Sequence, residues 1–158
     1  MEVFISYKPE DNMMLLSETA TAWAECAGDE NVKIIQVDDK LHKSEMMRRI
    51  VADNLADSEF YILADLGCIP DAPDMVRSIV RKLAKEKKEP GDLIGLWPAD
   101  MPAGEFPEGV RICRKGAVKH WVPKRTVTYD EEHAESVRHS RGKVEIWQDT
   151  TFKHVRAS

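Results

Sequence analysis

Apolar positions in the first hundred residues fall into short β-branched runs, separated by longer stretches with helical spacing. "VFISY" (Val3–Tyr7) is β-branched and aromatic and is ended by Lys8-Pro9, which predicts a strand. Met13 to Ala27 predicts a helix, because Leu16, Ala20, Trp23, Ala24 and Ala27 recur every three or four residues, with Asp11 or Asn12 as its cap. "VKIIQV" (Val32–Val37) predicts a second strand, stopped by Asp38-Asp39. Ser44 then stands as the N-cap of a helix to about Leu55 that buries Met46, Met47, Ile50 and Val51. "EFYILA" (Glu59–Ala64) is a third strand whose apolar centre suits an interior position. Asp74 to about Lys88 repeats the helical period, and "DLIGLW" (Asp92–Trp97) predicts a fourth strand.

This βαβαβαβ order predicts a three-layer α/β/α, Rossmann-like domain with a mostly parallel central sheet and ligands at the C-terminal strand edges. The last third reads differently. "VRICR" (Val110–Arg114) and "KVEIW" (Lys143–Trp147) predict strands on either side of an amphipathic helix, about Asp130 to His139. Between them and the fourth strand, the Pro-rich "WPADMPAGEFPEG" is a loop suited to rim a pocket. No internal repeat, low-complexity tract or long linker divides the chain, so residues 1–158 read as one domain.

Composition narrows the class. With 42% hydrophobic and 32% charged residues, the chain has the balance of a globule that can bury a core. No apolar run approaches the ~20 residues of a membrane span, and the early acidic residues argue against a secretory signal. Cys26, Cys68 and Cys113 are far apart and lack metal-ligand spacing, which points to reduced thiols and a cytoplasmic setting. The net charge of −5 is unevenly spread: residues 1–110 carry 12 Lys and Arg against 22 Asp and Glu, and residues 111–158 carry 11 against 6. The basic C-terminal third could meet an anion such as a diphosphate or nucleic acid, or be an ordinary solvated surface.

Acidic residues follow three of the strands: Glu10-Asp11, Asp38-Asp39 and Asp65. In a parallel sheet they would converge on one edge, where carboxylates can accept from a ribose or hold a divalent cation. Singly, each is as well explained by a turn or a helix cap. Gly-rich Rossmann, Walker and Gly-x-Ser-x-Gly signatures are missing, and the five histidines do not fall in a zinc pattern. Trp23, Trp97, Trp121 and Trp147 are core candidates, with Trp97 and Trp121 also placed to stack on a sugar or base.

"LADSEFYILADLGCIPDAPDMVRSIVRKL" resembles the central segment of GT-A glycosyltransferases of the family 2 type, where a strand delivers an Asp-x-Asp motif to the metal and sugar diphosphate. "VKIIQVDD", "MRRIVADNLADSEF", "VRICRKGAVKHW" and "YDEEHAESVRHSRGKVEIWQDTTFKHVR" are similar to further parts of that family, so the likeness covers nearly the whole chain. It implies a nucleotide-binding half (1–98) and an acceptor-side half (99–158), and sugar transfer from a nucleotide diphosphate sugar with Mn²⁺ or Mg²⁺. Asp65 matches the first Asp of the motif, and Gly67 stands where the second is expected. His154 matches a late His that completes the metal shell in some members. Tyr7, Asp38, Asp39 and Arg48 (or Arg49) would contact the nucleotide and its phosphates. Asp130 or Glu131 (or Glu132) would be the base that deprotonates the acceptor hydroxyl; the same acidic trio also suits a helix N-terminus. The acceptor would be a small molecule, a glycan or a nucleic acid, in a phage or bacterial setting. The chain is short for the family, which implies a minimal acceptor site or one completed by a partner chain such as a second copy.

A second resemblance competes at the N-terminus. "EVFISYKPED" is similar to the opening of TIR domains, implying instead a non-catalytic or NAD-cleaving signalling or interaction module. That pattern continues after its third strand with a Ser, Trp-Cys and a catalytic Glu, whereas "DLGCIPDAPDMVRSIV" has neither Trp nor Glu.

Overall fold

A computed structural model of the chain describes residues 1–37, 49–50, 55–85, 90–102, 107–116, 134, 137–138 and 142–155. β1 (Val3–Tyr7) alternates its side chains between two cores. Val3 and Ile5 enter one and Phe4 the other, the signature of a strand buried on both faces. α1 (Met13–Ala27) begins where Asn12 Oδ1 accepts from the main-chain N–H groups of Met14 (2.9 Å) and Leu15 (3.3 Å). Asp11, the other cap candidate, accepts from the Lys8 N–H at 2.6 Å and closes the preceding turn. A short 3₁₀ turn (Asp29–Asn31) leads into β2 (Val32–Gln36).

The remaining elements are β3 (Phe60–Ala64), β4 (Cys68–Pro70), α2 (Met75–Lys85), β5 (Leu93–Pro98), β6 (Val110–Arg114) and β7 (Val144–His154). Ile50, Ala134 and Val137 are helical positions within the segments expected as further helices. The strands form one sheet in the order β2-β1-β3-β6-β5-β7-β4. β1 runs parallel to β2 and β3, and β5 runs parallel to β7. β6 is antiparallel to both β3 and β5, and β4 is antiparallel to β7.

The sheet is therefore mixed, which corrects the expected mostly parallel one. A parallel crossover needs a dozen or more residues, usually a helix. The Pro-rich segment after β5 has no helical period, so the chain turns back and β6 inserts between β3 and β5. β7 also runs well past the expected Trp147. Its register with β5 jumps from Leu96↔Trp147 to Trp97↔Thr151, and after this bulge Phe152–His154 pair with β4.

The two cores are distinct clusters. One joins α1 and α2 residues (Leu16, Trp23, Met75, Val76, Ile79) to Ile62, Ile94 and Ile112. The other gathers Phe4, Tyr61, Leu63 and Leu93 with Ile50, Ala134 and Val137.

Candidate functional site

The parallel register of β1 and β3 brings the ends of the two strands to one edge. Ile5 lies opposite Ala64, so the residues that follow the two strands emerge at the same edge of the sheet. Tyr7 packs against the first core, and its hydroxyl donates to Gln36 Oε1 at 3.2 Å. Asp65 is half-buried. Its N–H donates to the Gly109 carbonyl at 2.7 Å, and its own carbonyl accepts from the Cys68 N–H at 3.0 Å, closing a turn.

That turn is fixed from below by α1. The Gly67 N–H donates to Thr19 Oγ1 at 3.0 Å, and the Trp23 indole N–H donates to the Cys68 carbonyl at 2.8 Å. Gly67 has φ +87°, in the left-handed region that favours glycine. A Cβ there would meet Leu15 only at ordinary contact distance, 3.7 Å. Backbone conformation, rather than crowding, explains a glycine where the family motif has its second Asp.

His154 reaches the same turn from the far end of the chain. It pairs with Cys68 in the β4–β7 ladder, and the Val155 N–H donates to the Gly67 carbonyl at 2.7 Å. Asp100, just after β5, meets His154 twice. Asp100 Oδ2 accepts from the His154 main-chain N–H at 2.9 Å, and Oδ1 lies 2.9 Å from Nδ1. The main-chain N–H first, and the imidazole second, hold the Asp100 carboxyl below the usual carboxylate range.

Among the described residues, no three His, Cys, Asp or Glu side chains gather as a complete metal cage. Asp65 and His154 offer one carboxylate and one imidazole on two backbone segments hydrogen-bonded to each other. Carboxylate and imidazole are both donor types that divalent transition-metal ions accept. An open cleft of about 760 Å³ runs beside the turn, between α1 and the β4–β7 pair. Its walls include Glu18, Thr21, Asp71, Asp100, Lys153 and His154, but not Asp65 or Tyr7.

Other sequence candidates divide into two groups. Arg49 donates from Nη1 to the Gln36 carbonyl at 2.6 Å, a bond to the end of β2. Asp38, Asp39, Arg48, Trp121, Asp130, Glu131 and Glu132 lie outside the described residues. Trp23 and Trp147 are core residues, and Trp97 is half-buried in β5. Sequence reading missed Asp100, which lies two residues past the end of β5 rather than directly after a strand as Asp65 does. It also missed Thr19, Trp23 and Gly109 as supports of the turn, roles that no local pattern announces.

No family model matches the sequence, and no curated protein matches it. Solved structures do match. A glycosyltransferase involved in glycosylating the major capsid of PBCV-1 aligns over 100% of this chain and 96% of its own, with a TM-score of 0.65 and 12% identity. A mannosyltransferase from Pyrobaculum calidifontis, in complex with GDP-Man and Mn²⁺, aligns over 97% of this chain with a TM-score of 0.67 and 11% identity. The present chain spans 56% of that protein. A Drosophila β-1,4-galactosyltransferase 7, in complex with manganese, UDP-Gal and xylobiose, aligns over 99% of this chain and 72% of its own, with a TM-score of 0.57 and 13% identity. The chain has a GT-A-type fold. At these identities the likeness is one of architecture, and within the GT-A-type sheet the Asp65 turn and His154 come together.

Proposed function

We propose that this protein is a glycosyltransferase that moves a sugar from a nucleotide diphosphate sugar to an acceptor hydroxyl, assisted by Mn²⁺ or Mg²⁺. One observation carries the reading: in a GT-A-type fold, residues almost ninety positions apart, Asp65 and His154, are tied to one turn by the Cys68–His154 pairing and the Val155–Gly67 bond. The solved structures with manganese and nucleotide sugars support the same class.

In this reading Asp65 and His154 hold the cation, which offsets the charge on the leaving diphosphate. Tyr7, at the end of β1, and Asp38 or Asp39, just after β2, contact the nucleoside. Arg48 neutralises a phosphate, since Arg49 is bound to the Gln36 carbonyl at the end of β2. Asp130 or Glu131 takes the proton from the acceptor hydroxyl as the glycosidic bond forms. Residues 1–98 then form the donor half and residues 99–158 the acceptor half. Helices on both faces, as the two cores suggest, complete a three-layer α/β/α arrangement. The three free cysteines agree with a reducing, cytoplasmic setting. The acceptor would be a small molecule, a glycan or a nucleic acid, in a site of this chain or one completed by a second copy.

The test is a panel of nucleotide sugars, with NAD included, screened by thermal shift with and without Mn²⁺. A uridine or guanosine diphosphate sugar is expected to raise Tm in the presence of Mn²⁺, and Asp65→Ala to abolish the rise. No response to any nucleotide sugar, or cleavage of NAD, would refute the proposal.

A further inference from the structure

We propose that Asp100 is a positioning residue for His154, locking its ring with the proton on Nδ1 so that Nε2 presents its lone pair to a ligand. An ionised carboxylate can only accept hydrogen bonds. Asp100 Oδ1 lies 2.9 Å from His154 Nδ1, so in the neutral ring Nδ1 carries the proton and Nε2 carries the lone pair. The second oxygen, Oδ2, takes the His154 main-chain N–H at 2.9 Å. Both oxygens therefore act on a single residue, one on its backbone and one on its ring. This two-point hold fixes the ring's orientation as well as its tautomer. It also leaves Asp100 less suited to be a ligand than to aim one.

Asp100 is itself held in place. The N–H of Ala99 donates to the Phe152 carbonyl at 2.8 Å, strapping the segment after β5 to β7 two residues before His154. The Phe152 ring lies 5.6 Å from the imidazole, tilted by 60°, on the first-core side. The imidazole is thus bounded by a carboxylate and an aromatic ring, and it lines the open cleft. A neutral imidazole with one nitrogen bound to a carboxylate is a stronger and better-aimed donor to a metal ion through the other.

That the ligand is a divalent cation rests on the sugar-transfer reading; the tautomer and the hold on the ring do not. The experiment separates the two. Ring nitrogens of ¹⁵N-labelled protein are followed by long-range ¹H–¹⁵N correlation at a pH of about 8, where an ordinary imidazole is neutral. His154→Gln identifies the His154 signals. The wild-type chain is expected to show His154 protonated on Nδ1, and Asp100→Ala to move it towards the Nε2-protonated form. Asp71→Ala, which removes another carboxylate of the same cleft, leaves the pattern unchanged. Mn²⁺ affinity, read separately by water-proton relaxation with a uridine or guanosine diphosphate present, is expected to fall by about 10- to 100-fold in Asp100→Ala. A wild-type His154 protonated on Nε2, or a tautomer indifferent to Asp100, overturns the proposal even if a variant fails to fold. The expected tautomer response without Mn²⁺ affinity in the wild type supports the positioning role and refutes the cation part of the sugar-transfer reading.

Discussion

Two glycines stand at the Asp65 turn for different physical reasons, and the difference can be measured. Gly67 needs only its positive φ, because a side chain would find space beside Leu15. Gly109 has φ +125°, and a Cβ there would lie 2.7 Å from Phe152 Cζ and 3.0 Å from Cys68 Sγ. Its carbonyl also receives the Asp65 N–H. Neither neighbour can retreat easily, since Phe152 is fully buried and Cys68 nearly so. Overpacking of this kind costs about 1–3 kcal/mol, in addition to backbone strain. Gly109→Ala is therefore expected to lower stability in urea by more than Gly67→Ala, which meets the strain alone. Equal losses would mean that crowding around Phe152 is not what selects the glycine. Because Phe152 and Cys68 flank Asp65 and His154, Gly109→Ala should also weaken nucleotide-sugar binding.

The elements differ in how plainly the sequence announces them. α1 spans Met13 to Ala27 as its spacing predicts, because its cap, its period and its glycine stop at Gly28 are all local. β1 and β6 likewise end where their β-branched runs end. β4 and the far half of β7 were not legible. Cys68–Pro70 reads as part of a turn, and "QDTT" looks like the end of a strand. Each becomes a strand only through the other, a tertiary pairing made after the bulge at Leu96–Trp97. The bulge segment also contributes an interaction of its own. Asp149 pairs with Lys82 of α2 at 2.6 Å, and the same ammonium lies 4.3 Å over the Trp147 ring. The hydrogen bond from Lys82 holds the Asp149 carboxyl below its ordinary value. A depressed carboxyl stabilises the fold above its unfolded pKa of about 3.9 and loses that contribution as pH falls through the lower folded value. With Asp149 largely exposed, the effect is small. Lys82→Met is expected to show a shallower fall of Tm between pH 5 and pH 3 than the wild type. An identical or steeper acid limb would remove the pair from the account.

At the scale of the molecule, the donor-side and acceptor-side halves that the sequence suggests are interleaved in space. β6, from the second half, lies between β3 and β5 of the first, and among the described residues β5 pairs with β6 and β7. A first half on its own would leave β5 without a neighbour and Ile94 and Leu96 without Ile112 and Trp147. The candidate site is divided in the same way, with Asp65 on one side of the boundary and Asp100 and His154 on the other. Folding and assembly of the site are then one event. The whole chain should unfold in urea as a single transition, with tryptophan fluorescence and far-UV circular dichroism coinciding. Trp23 in the first half and Trp147 in the second belong to the same core, so fluorescence samples both halves at once. A fragment of residues 1–98 should show no such transition and no Mn²⁺-dependent response to a nucleotide sugar. Two separated transitions in the whole chain, or a cooperative fragment, would show that the first half folds by itself. The inserted β6 would then be an addition to a finished domain rather than the strand that closes it.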